Sequence, residues 1–287
     1  MKPLAPLRRQ LAATAETLGL RRWINWHLNY HRRLHLNGVA MRVPKIQGLA
    51  CPDSEPWMLE LLRRVLPLKP GRFLDVGVNL GQTLLKVKAL EPARDYLGFE
   101  PNPVCLHYLA ALIRDNGFSG VQLVPAGLFE HDQVLNLGFF SDDPADASAS
   151  MIENFRPNAV KARTLVPVFR YETVEQAVSV QTLGVVKIDV EGAELEVLRG
   201  LGPALRRDRP LVLLEVLPAY STDNRPRIER QEALAALLHE ADYGIQRVRK
   251  TADGHFSGLQ PLADFGVHGD LEQCDYLILP AEVAAPA

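Results

Sequence analysis

A glycine-containing turn after an apolar segment is the first feature of this sequence that could bind a ligand. The turn Gly77-Val-Asn79-Leu-Gly81 follows "FLDV" and precedes a helical pattern. Glycines permit left-handed backbone and let a ligand approach the chain closely. Glu100 comes 23 residues after Gly77, at the end of the next apolar segment, where a carboxylate could accept hydrogen bonds from both ribose hydroxyls. This spacing predicts a ligand that contains a nucleoside.

The residues of the turn distinguish two classes of nucleoside cofactor. A dinucleotide requires glycine at the second and third positions of the fingerprint, so that its pyrophosphate can lie against the backbone. Here these positions hold Asn79 and Gln82. S-adenosylmethionine has no phosphate, and Asp75 could help to order its ammonium group, while an asparagine can both donate and accept hydrogen bonds. The turn therefore favours a methyl donor over NAD.

Three further carboxylates follow later strands and could carry out chemistry on an acceptor. Asp189 and Glu215 end two predicted strands, and Glu191 follows Asp189 by two residues. Methyl transfer depends largely on alignment, but a general base assists when the nucleophile is an alcohol. We expect Asp189 near the sulfonium or the acceptor hydroxyl, and Glu191 as the base or as a substrate-orienting group. The alternative for Glu191 is a capping role at the following helix, which we expect for Glu194.

Other polar residues complete the predicted chemistry or offer alternatives to it. Lys187 shares a strand face with Asp189 and is expected to hold a carboxylate in place. Three carboxylates at strand ends could bind Mg²⁺, but no ligand spacing requires a metal, and we expect none. A loop histidine could act as the base near neutral pH; the candidates are His131, His255 and His268.

These residues must be positioned by alternating strands and helices. Strands are predicted at 72–77, 96–100, 121–125, 185–190 and 211–216. Helices are predicted near 55–66, 80–91, 103–116, 193–199 and 227–241. Such alternation indicates a parallel sheet covered on both faces, with ligands bound at the carboxyl ends of the strands. Two polar segments, 141–164 and 250–270, are predicted to be loops.

Composition and charge indicate an ordinary globular protein with a basic N-terminal arm. The 287 residues are 47% hydrophobic and 23% charged, and three scattered cysteines do not suggest a disulfide framework. Residues 1–45 carry a net charge of +8 and the remainder −10, which favours an anionic partner for the arm. A helix is predicted over 5–35; its aromatic residues Trp23, Trp26 and Tyr30 could lie at a membrane interface, although docking on the body of the protein is the favoured alternative.

Three segments together resemble the FkbM-type family of S-adenosylmethionine-dependent methyltransferases. They are "FLDVGVNLGQT", "GFEPNP" and "VVKIDVEGAELEVLRG", and the resemblance covers roughly residues 55–280. It implies a class I methyltransferase fold, an α/β architecture with a doubly wound, seven-stranded, mostly parallel sheet. A basic, mainly helical extension would occupy residues 1–54 and the methyltransferase domain residues 55–287. Val78, where alanine is more usual, departs from the family wording without removing a chemical group.

The resemblance also implies an activity and a set of site residues. The expected reaction is O-methylation of a sugar hydroxyl in a glycan or glycoconjugate; the alternatives are a small natural product as acceptor, or a non-catalytic S-adenosylmethionine-binding partner in glycan assembly. Nucleic acid is not expected as a partner. We expect a cytoplasmic protein, whose residues 1–45 could contact the inner face of the membrane. The cofactor would contact Asp75, Gly77, Asn79, Gly81, Thr83, Glu100, Asn102, Ala126, Gly127, Leu128 and Asp189, and the catalytic candidates are Asp189, Glu191, Lys187 and Glu215.

Overall fold

The computed structural model describes residues 29–153, 155–156 and 159–286. The strands are β1 (Tyr30–Leu36), β2 (Val39–Lys45), β3 (Arg72–Val76), β4 (Tyr96–Phe99), β5 (Val121–Val124), β6 (Gly127–Leu128), β7 (Gln133–Phe139), β8 (Ala162–Phe169), β9 (Leu183–Ile188), β10 (Leu211–Glu215), β11 (Tyr243–Lys250), β12 (Phe256–Leu262) and β13 (Asp275–Pro280). The helices are α1 (Pro56–Val65), α2 (Gln82–Leu90), α3 (Pro103–Asn116), α4 (Tyr171–Glu175), α5 (Glu194–Gly200), α6 (Gly202–Asp208) and α7 (Arg225–Glu240).

The central sheet has eight strands in the order β12-β11-β13-β10-β9-β3-β4-β5. The five strands from β10 to β5 are parallel, and β13, β11 and β12 are added antiparallel at one side. The chain winds outward in both directions from β3, which creates a switch point between β3 and β9 where a ligand can bind. The predicted doubly wound α/β fold is confirmed, but the sheet has eight strands where seven were predicted. The eighth strand, β12, lies within 250–270, so the prediction of a loop there was wrong.

Helices cover both faces of the sheet, as the uninterrupted apolar strands require. One hydrophobic core joins α1, α2 and α3 to the first face, and a second core joins α5, α6 and α7 to the other. The five strands and five helices predicted after residue 54 are all present, and their ends differ from the predicted ones by no more than two residues. The Asn102 side chain accepts a hydrogen bond from the Val104 N–H at 2.9 Å, so α3 begins with the predicted cap and a proline in its first turn.

A smaller sheet, in the order β6-β8-β7, follows β5 along the chain. Its strand β8 begins at Ala162, within the segment predicted as a loop over 141–164, while the first part of that segment is irregular. Leu137, Val166 and Met151 form a third small core with this sheet. The sheet thereby fixes the loop that precedes β8 against the carboxyl ends of the central strands.

The N-terminal part of the described chain is a β-hairpin. Strands β1 and β2 pair antiparallel around Asn37 and Gly38, whose φ angles of 51° and 76° suit a two-residue turn of the hairpin type. The predicted helix over 5–35 is therefore wrong from Tyr30 onward, and its preceding part, with Trp23 and Trp26, lies outside the described residues. The hairpin packs on α2 and α3 through buried apolar side chains that belong to the first core. The boundary proposed at residues 54 and 55 stays a prediction.

Within the described residues, none of the helices combines the length and the apolar character needed to cross a membrane. The three cysteines, Cys51, Cys105 and Cys274, are buried free thiols.

Candidate active site

A cleft of about 270 Å³ opens at the carboxyl ends of β3, β4, β9 and β10. This is the edge of the sheet where the sequence placed the ligand. The predicted residues that line the cleft are Gly77, Asn79, Thr83, Glu100, Asn102, Gly127, Leu128, Lys187, Asp189, Glu191 and Glu215. The structure therefore brings most of the cofactor candidates and all four catalytic candidates together in one site.

The turn after β3 has a conformation that explains its asparagine. Gly77, Asn79 and Gly81 all have left-handed backbone, with φ angles of 86°, 49° and 90°. Asparagine is among the few residues with a side chain that adopt this conformation readily. The Asn79 Oδ1 accepts a hydrogen bond from the Leu80 N–H at 2.8 Å, which stabilises the turn from within. Asn79 thus meets the same backbone requirement as a glycine and adds a polar side chain at the cleft.

Glu100 is fixed to this turn through its carboxylate. Its Oε2 accepts the Asn79 N–H at 2.7 Å, and its Oε1 accepts the Asn102 N–H at 2.8 Å. The side chain is buried, and burial raises the pKa of Glu100 to about 7, although these two N–H donors oppose the shift. Each carboxylate oxygen can accept a second hydrogen bond. Glu100 is therefore a rigid acceptor at the wall of the cleft, suited to hydroxyl groups.

The same hydrogen bonds make the turn unsuited to a pyrophosphate. A phosphate at such a turn is held by backbone N–H groups of the turn and the helix start. Here the N–H groups of Asn79 and Leu80 donate to Glu100 and to the Asn79 side chain. A phosphate would also face the Glu100 carboxylate. The donor and acceptor set of the turn fits a ribose without a phosphate beside it.

Lys187 joins two carboxylates beneath the cleft. Its Nζ lies 3.4 Å from Asp75 Oδ1 and 3.3 Å from Asp189 Oδ2, and it donates to the Gly77 carbonyl at 2.7 Å. Burial opposes the charged ammonium, but Asp189 and Asp75 outweigh this effect and raise the pKa of Lys187. The lysine therefore stays positively charged and holds Asp189 in place, in the role that the sequence predicted for it.

Asp75 lies behind the wall of the cleft, which corrects its predicted contact with the cofactor. It is fully buried, and it accepts a hydrogen bond from the Tyr96 hydroxyl in addition to its ion pair with Lys187. Burial raises the pKa of Asp75, while Lys187 opposes the shift. Its side chain acts on the site through Lys187.

Two other cofactor candidates also lie behind the wall. Gly81 is packed so closely against α3 that an added Cβ would lie 2.8 Å from the Leu112 side chain. Ala126 is buried, and its N–H donates to the Val124 carbonyl. Both residues shape the backbone beside the cleft, whereas the adjacent Gly127 and Leu128 line it.

Asp189, Glu191 and Glu215 form a cluster in which one carboxylate oxygen of each lies within 4.8 Å of the others. Asp189 and Glu215 are hydrogen-bonded, and the Asp189 charge raises the pKa of Glu215, so that Glu215 holds the shared proton. Burial opposes the ionised form of Asp189, but Lys187 outweighs it and lowers the pKa of Asp189. The cluster has the geometry of a cation site, yet Lys187 and the shared proton already offset much of its charge. The expected absence of a metal stays a prediction.

Glu191 occupies a constrained turn at the mouth of the cleft. Its φ angle is 54°, and its carbonyl accepts a hydrogen bond from Ser150 Oγ at 2.7 Å. Its carboxylate forms an ion pair with Arg156. Burial and the Asp189 charge raise the pKa of Glu191 to about 7, against the effect of Arg156. The next residue, Gly192, must be glycine because an added Cβ would lie 2.7 Å from the Phe155 ring.

Glu194 lies in the first turn of α5, the position that the sequence predicted for it, but its side chain makes no capping hydrogen bond to the helix. Its Oε1 accepts the Gly192 N–H at 2.8 Å, at the start of α5. A carboxylate there is stabilised by the helix dipole, while burial raises the pKa of Glu194 to about 7. Glu191 and Glu194, although three residues apart, therefore have different environments, one at the cleft and one inside the turn.

Several cleft residues were not predicted from the sequence. Glu55 and Met58 come from the start of α1, and Leu137 and Met151 come from the smaller sheet and its loop. Asp146 also lines the cleft and organises that loop, since it accepts N–H groups from residues 140, 141 and 148. Its place in "PADAS", a segment rich in turn-forming residues, was the available signal.

Two of the histidine candidates for the base interact with residues outside the cleft. His255 contacts Glu60 at 2.8 Å, and His268 contacts the Tyr276 hydroxyl at 3.4 Å. His131 is exposed beyond β6. The residues that line the cleft do not include these histidines, among the residues that the structure describes. Carboxylates are therefore the candidate bases.

The chain has a doubly wound α/β fold with a cleft at the carboxyl ends of its parallel strands. Comparisons with known proteins give its family. Residues 75–245 match the family model described as the Methyltransferase FkbM domain. The chain therefore belongs to this family of methyltransferases, and the resemblance seen in the three sequence segments is confirmed.

The chain is also similar to individual proteins. The chain is 29% identical to Methyltransferase sdnD of Sordaria araneosa over 64% of its own length and 77% of that protein. It is 30% identical to Methyltransferase 1 of Beauveria bassiana over 48% of its length and 61% of that protein. Among solved structures, Methyltransferase FkbM from Methylobacillus flagellatus is 15% identical, with a TM-score of 0.46, over 73% of this chain and 43% of that one.

Proposed function

We propose that this protein is an S-adenosylmethionine-dependent O-methyltransferase that acts on a sugar hydroxyl of a glycan or glycoconjugate. The observation that carries the cofactor assignment is the Glu100 carboxylate, held at the cleft by the N–H groups of Asn79 and Asn102 at 2.7 and 2.8 Å. An acceptor of this kind suits the two hydroxyls of a ribose. Family membership supports methyl transfer as the reaction class.

The charges deeper in the cleft suit the reactive part of this cofactor. When bound, S-adenosylmethionine supplies a methyl group on a positively charged sulfur, and an acceptor oxygen that takes the methyl group must release its proton. The Asp189 side chain is 37% exposed, and Lys187 at 3.3 Å keeps it ionised. Asp189 can therefore present a negative charge to a cation in the cleft, from a position fixed by a buried lysine.

Glu191 is the residue best suited to take the proton of the acceptor hydroxyl. Its carboxylate lines the cleft, and a pKa near 7 is the value at which a base is effective at neutral pH. The ion pair with Arg156 fixes its orientation. Glu215 already holds a proton that it shares with Asp189, so it is suited to orient Asp189. In this proposal Asp189 faces the cation, Glu191 is the base and Glu215 orients Asp189.

The acceptor is proposed from the family resemblance, and two alternatives are retained. A small natural product would use the same carboxylates, and a non-catalytic partner in glycan assembly would bind the cofactor without a base. The presence of Glu191 at the cleft with a pKa near 7 favours an enzyme over a silent partner.

The proposal is tested by incubating the protein with a labelled methyl donor and extracted surface polysaccharide. We expect label in the polysaccharide, in an ether linkage that resists mild alkali, and transfer that is about 100- to 10,000-fold slower with the Glu191→Gln variant. Transfer to small hydroxylated metabolites alone would defeat the glycan assignment. Binding of S-adenosylhomocysteine without transfer to either class would favour the non-catalytic alternative.

A further inference from the structure

The β1–β2 hairpin has an outer face that its packing on the body does not explain. Leu34 and Met41 lie opposite each other on the inner face and are buried. Arg33 and Arg42 lie opposite each other on the outer face, and both are exposed. His35 extends this face toward the turn. The outer face is therefore basic.

Arg33 and Arg42 lie directly opposite each other, at the kind of antiparallel pair in which the two side chains are closest together. The Arg42 N–H donates to Asn116 Oδ1 and the Arg42 carbonyl accepts from Asn116 Nδ2, both at 2.7 Å. Because these groups point away from β1, Arg33 and Arg42 form a pair without hydrogen bonds between them, in which the side chains approach most closely. Like charges placed directly opposite each other destabilise a sheet.

The charge of this pair is not balanced from within the described part of the chain. Neither guanidinium has an ion pair there, and the nearby carboxylate of Asp115 is engaged by His31 at 2.7 Å and by Arg114 at 3.2 Å. Asn116 also anchors β2 to the end of α3, so the arginines are carried on a rigid strand. A fixed pair of uncompensated positive charges is suited to an anionic surface.

The sequence around the hairpin favours a membrane over a soluble polyanion. Residues 1–45 carry +8 on a body of −10, which would orient this end toward negative charge. The residues just before β1 include Arg21, Arg22, Trp23 and Trp26. Tryptophan and tyrosine favour the membrane–water interface, where arginine can reach the headgroups.

We infer that the outer face of the hairpin, with Arg33 and Arg42 at its centre, docks the protein on an anionic membrane surface. This inference is independent of the proposed reaction, because it concerns a surface formed by β1 and β2, while the cleft lies at the strand ends of the central sheet. An enzyme docked in this way would remain beside acceptors that are themselves attached to a membrane.

The test is sedimentation of the full-length protein with phosphatidylcholine vesicles that contain or lack phosphatidylglycerol. We expect binding to the anionic vesicles only, and weakening by roughly 30-fold in the Arg33→Gln/Arg42→Gln variant, at about a factor of five for each arginine removed. The charge-matched control is Arg206→Gln/Arg249→Gln, which changes two exposed arginines on α6 and β11. We expect this control to bind as the unmodified protein does.

Binding of S-adenosylhomocysteine by both double variants, together with unchanged circular dichroism, establishes that they are folded. Absence of vesicle binding by the unmodified protein would overturn the inference, and so would equal binding by the two double variants. If Arg33→Gln/Arg42→Gln weakened binding to soluble polyphosphate but left vesicle binding unchanged, the partner of this face would be a polyanion and the membrane assignment would be wrong.

Discussion

Replacement of Glu100 by glutamine tests the cofactor assignment at a single carboxylate. In the folded protein this carboxylate accepts two backbone N–H groups and faces the cleft. The amide of Glu100→Gln is nearly isosteric but neutral, and its NH₂ group must face one N–H donor of the turn. The substitution therefore removes a charged acceptor from the cleft while it keeps the volume of the side chain.

The magnitude follows from the hydrogen bonds that a ribose would make. Each hydrogen bond to a charged group contributes about 1.5–3 kcal/mol. If most of this contribution is lost at both ribose hydroxyls, the binding free energy of S-adenosylhomocysteine decreases by about 3 kcal/mol, which corresponds to roughly 150-fold weaker binding. Calorimetry at pH 8, where Glu100 is ionised, measures this difference directly.

The stability of the unliganded protein changes in a different way. Burial raises the pKa of Glu100 from 4.5 to about 7, so the folded state binds this proton more tightly than the unfolded state does. The group therefore favours folding below pH 4.5, and this contribution, about 3 kcal/mol, is lost as the pH rises to 7. In Glu100→Gln, the decrease in the free energy of unfolding between pH 4.5 and 7 should be smaller by that amount.

Glu194→Gln is the matched control. Glu194 is also buried, with its pKa raised to about 7, but it accepts the Gly192 N–H before α5 and lies outside the set of cleft residues within the described chain. We expect this variant to reduce the pH dependence of stability similarly and to bind S-adenosylhomocysteine with unchanged affinity. If folded Glu100→Gln bound within about 3-fold of the unmodified protein, the ribose assignment would be refuted.

Three further predictions concern the catalytic cluster. Glu191→Gln should lower the methyl-transfer rate by about 100- to 10,000-fold without loss of S-adenosylhomocysteine binding. The rate of the unmodified protein should fall as the pH drops below about 7, because the base must be ionised. A rate independent of pH between 6 and 8 would exclude Glu191 as the base. Lys187→Met should lower the free energy of unfolding in urea by about 3–5 kcal/mol, because Asp75 and Asp189 lose their buried counterion; an unchanged urea midpoint would show that the lysine does not balance this charge. Chelation with EDTA should leave the transfer rate unchanged, since Lys187 and Arg156 already pair with carboxylates of the cluster or beside it; loss of activity that Mg²⁺ restores would show a metal site.

The strands and the cleft were predictable because each rests on a local pattern. Apolar segments that end in Asp, Glu or Gly mark the carboxyl ends of parallel strands, and the topology then places Glu100, Asp189 and Glu215 at one edge. The sequence could not show which strand-end side chains line the cleft. Asp75 is buried behind the cleft, where Tyr96 on the neighbouring strand and Lys187 both engage it.

Two other differences have equally specific causes. The predicted helix over 5–35 overlooked the Asn37-Gly38 dipeptide between alternating residues, a strong hairpin signal. Asp146 and Glu55 reach the cleft from segments that are far from the strand ends in sequence. Their positions are determined by tertiary packing, and no periodic pattern in the sequence indicates them. The sequence predicts an element most reliably where local preference and burial agree.

The central claim is that the cleft holds a nucleoside cofactor without a phosphate at the turn. Calorimetric titration of the unmodified protein with S-adenosylhomocysteine and, separately, with NAD tests this claim most directly. The internal engagement of the Asn79 and Leu80 N–H groups predicts saturable binding of S-adenosylhomocysteine at micromolar concentrations and no measurable heat from NAD. Saturable binding of NAD, with no heat from S-adenosylhomocysteine, would contradict it.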